Sequence, residues 1–370
     1  MSFSAPTVFA HVSPLGTLVY YDHVDDSRLT VTDKRVRLHF CRAWALQFDE
    51  SLEEMALTED FTGLRHRPTD DGMIRVSCEG VIRRLADMIA PWPLLKTQTC
   101  DSPMAETALR ALRDTPSETY PLDLTHLEPA RQIVGCCGFI TTAVRCDSSF
   151  PYAVLSRYAN PKRMSALVWR LILRMAHYLV STIGLHLHLA PPERVRNPDG
   201  TYGLNLFESY VDSSMANADN GLGYAGYVIM SRHHRGGALG WRVILPPMGF
   251  ESTAAAGLHA TTMAFKHIVA IRTLQSELEL GVGPTEPTVL LTDAQAVTDG
   301  SHMERLTGKT RWLAAKYAMI RWGVACRAIM LERVASIDMI ADIVTKPIVG
   351  AAFYALRARV LGLLPGPGPI

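Results

Sequence analysis

The order of strand and helix patterns after residue 204 restricts the fold more than any other feature of this sequence. Three runs with strand character come first, and a long helical pattern follows them. Strand and helix patterns then alternate to the end: strands near 206–211, 223–231 and 240–245, helix 252–280, strand 289–291, helix 311–322, strand 328–334 and a helix from about 337. Consecutive strands form an antiparallel meander, whereas the later alternation requires crossover connections. The sequence therefore predicts an α/β unit with a mixed sheet and helices on its faces.

Three aspartates lie where this predicted sheet brings the ends of its strands together. Asp212 ends the first strand, Asp293 follows the apolar run 289–291, and Asp342 lies on the opening turn of the final helix. Clustered carboxylates repel one another, and hard divalent cations neutralise them. Two such ions can activate a water molecule and stabilise the leaving oxygen of a phosphodiester. The alternative is that each aspartate is an ordinary cap or turn residue.

Composition excludes several classes of protein. Hydrophobic residues make up 48% of the 370 residues, which is too many for a wholly disordered chain. The 37 basic and 36 acidic residues nearly cancel, so a globally basic surface is excluded. A local basic segment with interleaved aromatics is nevertheless present, and its candidate nucleic-acid contacts are Arg305, Lys309, Arg311, Lys316 and Arg321. The alternative is a solvated basic face whose aromatic residues belong to the core.

The seven cysteines and the apolar stretches bear on the compartment. No Cys/His pair has zinc spacing, so we expect reduced, mostly buried thiols in an intracellular, reducing compartment. The N-terminus has no recognisable secretion signal. The most apolar long stretch, 166–189, contains Arg170, Arg174 and His177, which argues against a membrane span.

The N-terminal half has simpler patterns. Residues 15–31 read as two strands joined by His23, Val24, Asp25 and Asp26, and a helix is predicted over 34–48. Prolines make 90–127 a candidate linker, and helices are predicted over 129–144 and 165–183. The Pro/Gly-rich tail 364–370 is expected to be disordered because alternating prolines cannot continue a helix.

The segment DMIADIVTKP at 338–347 is close to EMIADILTKP, a motif of copia-type retrotransposon polyproteins. Residues 18–363 resemble the C-terminal part of such a polyprotein. The other matching segments, in chain order, are HVDD (23–26), VGCCGF (134–139), TAVRCD (142–147), LSRY (155–158), the helix 169–183, YVD (210–212), STAAA (252–256), TDAQAV (292–297) and the helix 311–321. Their order and spacing carry the resemblance more than any single motif.

The resemblance implies an α/β architecture in several parts. Residues 1–127 would hold a reverse-transcriptase palm remnant and thumb, and 128–200 the connection helices. Residues 204–363 would form a ribonuclease H-like mixed sheet with flanking helices. Asp212, Asp293 and Asp342 then correspond to metal-binding catalytic carboxylates, and Asp25 and Asp26 to the polymerase turn. The alternative for Asp25 and Asp26 is a polar hairpin turn.

The departures from the family pattern predict weakened chemistry. The fourth family carboxylate is replaced by Ala256, the alternative position is also alanine, Ala254, and the second acidic position of the first motif is Ser214. Glu251 or His259 are the candidate substitutes. The polymerase turn carries His23 in place of tyrosine, and its upstream strands have no counterpart in this sequence. Loss of one ligand weakens a two-metal site because affinity depends on charge and ligand number.

The sequence thus favours a domesticated or degenerate reverse transcriptase/ribonuclease H fragment, catalytically weak or inactive, that serves as a nucleic-acid- or protein-binding scaffold. One alternative is an active hybrid ribonuclease that uses Mg²⁺ or Mn²⁺. Another is one subunit of a split reverse transcriptase. The expected partners are RNA or an RNA:DNA hybrid, or a protein docked at the truncated palm edge within a larger ribonucleoprotein assembly. No membrane partner is expected.

Overall fold

The computed structural model of the chain describes most of its residues. They are 8–23, 26–48, 60–93, 100–114, 123–191, 193–196, 202–205, 207–214, 218, 222–246, 249–250, 252–277, 286–302 and 311–363. The structure is mixed α/β. In chain order, the described strands are β1 Val8–Ser13, β2 Gly16–His23, β3 Asp26–Val31, β4 Asp60–Phe61, β5 Leu64–Pro68, β6 Ile74–Ser77, β7 Leu187–Leu189, β8 Glu193–Arg196, β9 Tyr202–Asn205, β10 Phe207–Ser213, β11 Ala225–Ser231, β12 Ala238–Ile244, β13 Thr288–Thr292 and β14 Ile329–Arg333. The helices are α1 Lys34–Phe48, α2 Glu79–Ile89, α3 Glu106–Asp114, α4 Leu127–Ala143, α5 Ser149–Leu155, α6 Ala166–Ser181, α7 Thr253–Glu277, α8 Gln295–His302, α9 Ala314–Ala325, α10 Asp342–Thr345 and α11 Gly350–Leu361.

A five-stranded mixed sheet organises the C-terminal half. Its strand order is β12-β11-β10-β13-β14. The first three strands in sequence pair antiparallel, and β13 then joins β10 in parallel, with Tyr210 opposite Leu291. β14 continues the parallel arrangement on β13. This confirms the predicted meander followed by crossover strands.

Helices cover both faces of this sheet because successive side chains of each strand point to opposite sides, and both sides are apolar. Val211, Tyr227 and Ile229 face α7 and α9 and share a core with Leu258 and Phe265. Tyr210, Val228 and Met230 face the other way and belong to a larger core. That larger core includes α10 and α11 and continues into the helices of the preceding half, the buried faces of α2, α4, α5 and α6.

Specific contacts join the sheet to those earlier helices. The Trp241 indole on β12 donates a hydrogen bond of 3.1 Å to the Thr141 carbonyl on α4. Phe150 on α5 packs edge-on against Tyr224, and Tyr178 on α6 packs against Phe353 on α11. The same half carries a four-stranded antiparallel sheet, β4-β5-β6-β7, beside α2.

A separate three-stranded antiparallel sheet, β1-β2-β3, begins the described chain. Its small core joins Leu18, Tyr20 and Val36, and α1 closes it with Phe40 and Trp44 packed near Tyr20. The predicted strand–turn–strand and the following helix are confirmed.

Several elements differ from the expectations, among them the final helix, α3 and α8. The expected final helix is divided: a 3₁₀ turn, Ser336–Asp338, precedes α10, and α11 begins only at Gly350. Pro347 explains the division, because proline lacks the amide hydrogen that a continuous helix needs. α3 lies within the proline-rich segment taken as a linker, since 106–114 contain no proline and bury Leu109 and Leu112. α8 was not predicted, because this helix has only eight residues and most of them are polar.

Among the described helices, none is long and apolar enough to cross a membrane.

Candidate functional site

Asp212 and Asp342 meet around the ammonium group of Lys346. β10 carries Asp212 near the C-terminal end of the neighbouring strand β13, and α10 packs on that part of the sheet. The Lys346 Nζ lies 2.6 Å from Asp342 Oδ1 and 3.4 Å from Asp212 Oδ2. The Thr345 hydroxyl also donates a hydrogen bond to Asp212 Oδ2, across a separation of 133 residues in sequence. One lysine therefore bridges two carboxylates that meet because α10 folds back onto β10.

The electrostatics of this pair follow from its burial. The Asp212 side chain is 4% exposed, the Asp342 side chain 19% and the Lys346 side chain 35%. Burial raises the pKa of Asp342 to about 6, and the neighbouring Asp212 carboxylate adds to that rise while Lys346 opposes it. Burial lowers the pKa of Lys346, but the two carboxylates more than offset this and raise it. The lysine is thus held in its charged form.

Asp293 lies one residue beyond β13 and has a different partner. The Ser336 hydroxyl donates a hydrogen bond of 3.3 Å to Asp293 Oδ2. Thr292 caps the next turn, since the Ala294 amide donates to the Thr292 hydroxyl. The carboxylate is half-buried and outside the bridge made by Lys346.

Among the described residues, the candidate positions for the fourth carboxylate that the sequence resemblance implies contribute no acid. Ala256 on α7 is fully buried. Ser214 is buried, and its hydroxyl accepts the Tyr224 amide at 3.2 Å. His259 accepts a hydrogen bond of 3.0 Å from Lys316 Nζ at its Nδ1 atom. Glu251 lies outside the described residues.

Gly226 allows α10 to approach the sheet at this point. It lies directly across from Asp212 in the β10–β11 register. A β-carbon on this residue would lie 2.9 Å from Thr345 Cγ2 and 3.0 Å from Val344 Cγ2. The lack of a side chain therefore lets the Thr345–Lys346 segment reach Asp212.

This donor set does not fit a two-metal site. Within the described ranges, no group of three His, Cys, Asp or Glu side chains is placed to hold a metal ion. Two of the three aspartates already share an ammonium group, and the third is bonded to a serine. A magnesium ion needs near-octahedral oxygen ligands at short range, and these side chains do not supply them.

The basic segment is only partly available to a ligand. Arg311 is exposed, whereas Arg321 donates two hydrogen bonds to the Gly300 carbonyl, at 3.2 and 2.8 Å, and Lys316 is bonded to His259. Burial also lowers the pKa of Lys316, and nearby Lys266 lowers it further. Trp312 and Trp322 are 52% and 59% exposed, while Tyr317 is buried. Arg305 and Lys309 lie outside the described residues.

The structure describes only part of the backbone of segment 23–26, which resembles a polymerase turn in sequence. Asp26 is the first residue of β3 and pairs with His23 of β2. Asp25 lies outside the described residues, as do the side chains of His23 and Asp26.

Sequence reasoning missed two groups that the structure brings out. Lys346 and Thr345 stand inside the DMIADIVTKP motif, where their i,i+4 and i,i+3 spacing from Asp342 was the available signal. Arg145 and Asp147 form a fully buried ion pair, which the sequence pattern alone does not distinguish from a surface pair. All seven cysteines are unpaired; Cys78, Cys137 and Cys146 are buried and Cys326 is exposed.

Comparisons with known proteins give a weak likeness. No family model matches the chain. One solved structure, the foamy viral protease-reverse transcriptase in complex with double-stranded DNA, aligns at 13% identity with a TM-score of 0.35, over 90% of this chain and 55% of that one. A form of that protein designated dRH, also in complex with double-stranded DNA, aligns at 11% identity with a TM-score of 0.33, over 63% of this chain and 35% of that one. The chain thus spans about half the length, or less, of these proteins.

Proposed function

We propose that this protein is a copia-type reverse transcriptase/ribonuclease H derivative that binds RNA or an RNA:DNA hybrid without cleaving it. Support for the ribonuclease H-like arrangement comes from the strand order of the mixed sheet and from the position of Asp212 at the end of its central strand. The ordered motifs from residue 23 to residue 347 support the copia-type origin.

One observation carries the non-cleaving part of the proposal. The position of the fourth carboxylate is a fully buried alanine, Ala256, and the remaining acidic pair is bridged by Lys346. Phosphodiester hydrolysis by two metal ions needs ligands that fix both ions on either side of the reacting phosphate. A site with one carboxylate missing and two engaged with an ammonium group does not meet that need.

The binding part of the proposal relies on the segment that leads into α9. Arg311 and Trp312 precede the helix and Trp322 lies near its end, and all three side chains are exposed. An exposed guanidinium attracts phosphate oxygens, and exposed indoles offer flat surfaces for unpaired bases. Arg327, which follows α9, and Arg333, the last residue of β14, are also exposed and add positive charge to this part of the chain.

Binding is tested by fluorescence anisotropy with a labelled RNA:DNA hybrid and a matching single-stranded RNA, in EDTA, over a salt series. We expect affinity to fall as salt rises, because phosphate contacts release counter-ions. Arg311→Ala should weaken binding severalfold and reduce the salt slope by about one. Lys162→Ala, an exposed cation between α5 and α6, is the matched control and should leave binding unchanged. Absence of salt-dependent binding would contradict the proposal.

A protein partner is the second candidate, and the N-terminal sheet favours it. Val12 and Leu15 near β1 and Leu38 and Leu46 on α1 are 46 to 88% exposed, with Leu46 the most exposed. Exposed apolar side chains that lie together are typical of association surfaces, and these four belong to one small unit, the sheet β1-β2-β3 with α1. Two results together would favour this candidate. The wild type would fail to bind nucleic acid, and it would self-associate stably or capture a partner in a way that Leu46→Glu abolishes.

A further inference from the structure

We propose that the ammonium group of Lys346 is a built-in counter-ion that takes the place of a divalent cation between Asp212 and Asp342. The inference deepens the proposed function, since it explains how the same carboxylates persist without metal. Its test uses no nucleic acid, so its failure can be distinguished from a failure of the binding proposal.

The segment Thr345–Lys346 places two donors against the two carboxylates. Lys346 follows Asp342 by four residues, which is about one helical turn. The 2.6 Å contact between Lys346 Nζ and Asp342 Oδ1 is a charge-assisted hydrogen bond. The same nitrogen is 3.4 Å from Asp212 Oδ2. That oxygen also accepts the Thr345 hydroxyl, so both donors reach it from adjacent residues of one segment. One oxygen of each carboxylate, Asp212 Oδ2 and Asp342 Oδ1, is thus already engaged by a donor of this segment.

The charges of Asp212, Asp342 and Lys346 partly balance one another. Two carboxylates this close and this buried repel each other strongly unless a cation lies between them. Lys346 supplies one positive charge, which leaves the trio with a single net negative charge. In a site with a further glutamate at position 256, the negative charge would be larger and a divalent ion would be better matched. Ala256 removes that charge, and Asp293 is engaged with Ser336.

A divalent ion would have to compete with Lys346 for the two carboxylates. A divalent ion could bind between these carboxylates only after Nζ leaves both of them and the Thr345 hydroxyl gives up Asp212. The lysine is part of the chain, so it is always present at high effective concentration. Its side chain is also half-buried, which limits the water available to solvate the displaced ammonium group.

The experiment is a Mn²⁺ titration followed by electron paramagnetic resonance of the free ion, with the full chain. The wild type should leave the free Mn²⁺ signal unchanged at micromolar to low millimolar metal. Lys346→Met, which nearly keeps the length of the side chain and removes its charge, should bind Mn²⁺ roughly tenfold or more tightly than the wild type, since ligand charge sets affinity. Adding Asp212→Asn to that variant should abolish the gain.

Two controls keep the inference falsifiable. Lys162→Met removes an exposed lysine elsewhere and should behave as the wild type. Lys346→Arg keeps the positive charge and should also exclude Mn²⁺; it serves if Lys346→Met does not fold. Mn²⁺ binding by the wild type that Asp212→Asn removes would overturn the inference. So would a folded Lys346→Met variant that binds Mn²⁺ no better than the wild type.

Discussion

Arg145 is the largest fully buried side chain in the described part of the protein. Its guanidinium forms two hydrogen bonds to Asp147, at 2.9 and 2.8 Å, and two to Thr182 at the end of α6. Tyr178 donates a further hydrogen bond to Asp147 at 2.5 Å. Burial raises the pKa of the Asp147 carboxyl, but Arg145 and Tyr178 outweigh it and the pKa is lowered. This network fixes the turn between α4 and α5 against α6.

Removing one member of that pair should be costly. Asp147→Asn leaves the Arg145 charge buried without its counter-charge, and we expect the free energy of unfolding to fall by about 3–5 kcal/mol. Glu106→Gln breaks the exposed Glu106–Arg110 pair on α3 and should cost no more than about 1 kcal/mol. Urea denaturation of both variants checks this. Equal losses in the two variants would show that the buried network does not contribute as described.

His66 on β5 makes stability depend on pH. Burial, together with the charge of Arg28, lowers the pKa of His66 to about 4. Its Nδ1 atom is buried without a hydrogen-bond partner. The unfolded chain, with an ordinary pKa near 6.5, binds the proton first, so stability is full above pH 6.5 and is lost as the pH falls toward 4. The loss from this residue is at most about 3 kcal/mol.

His66→Gln should therefore flatten the fall in stability between pH 6.5 and 4. Other histidines whose pKa burial lowers act in the same direction, so the slope should decrease without vanishing; they are His186, His188, His259 and His267. His11→Gln, on the exposed side of β1, is the control and should leave the slope unchanged. Thermal unfolding at several pH values measures the slope of stability against pH. Identical slopes in the wild type and His66→Gln would contradict the role given to His66.

At the scale of elements, the contact between α10 and β11 decides where Lys346 lies. Gly226→Ala would place a β-carbon against Thr345, Val344 and the Arg242 carbonyl. We expect a loss of about 1–3 kcal/mol from overpacking, with α10 displaced from Asp212. Gly135→Ala on α4 meets open space and should be neutral or stabilising by up to about 1 kcal/mol. A Gly226→Ala variant as stable as the wild type would show that α10 packs less closely than described.

The sequence predicted those elements whose pattern is local. β10, β11 and β13 are runs of β-branched and aromatic residues between turns, and α6 and α7 are long enough to show helical spacing. The structure places Asp212 and Asp342 together because α10 folds back onto the sheet, whereas Asp293, predicted to join them, lies outside the Lys346 bridge. The i,i+4 spacing was a signal for the contact of Lys346 with Asp342, but its contact with Asp212 was not predictable, because it depends on the break at Pro347 and on the space left by Gly226. α3 and α8 are short helices fixed by packing rather than by their own pattern.

At the scale of the whole molecule, one continuous core joins the sheet to the helices before it. Tyr210, Val228 and Met230 on the sheet share that core with side chains of α2, α4, α5 and α6. A fragment of residues 204–363 would expose this apolar face. We expect the fragment to lack a cooperative thermal transition and to aggregate, whereas the full chain unfolds with these parts together. Calorimetry of both checks this, and a sharp transition of the isolated fragment would mean that the sheet and α7–α11 suffice for folding.

We propose that the protein binds nucleic acid and that its acidic site has lost its hydrolytic chemistry. The most direct test of this proposal is to measure cleavage of a labelled RNA:DNA hybrid by the purified wild type in millimolar Mg²⁺ or Mn²⁺. An Asp293→Asn variant, prepared in the same way, is measured in parallel. We expect the wild type to cleave no faster than Asp293→Asn, while both bind the hybrid in a salt-dependent way. Metal-dependent cleavage by the wild type that Asp293→Asn abolishes would contradict it.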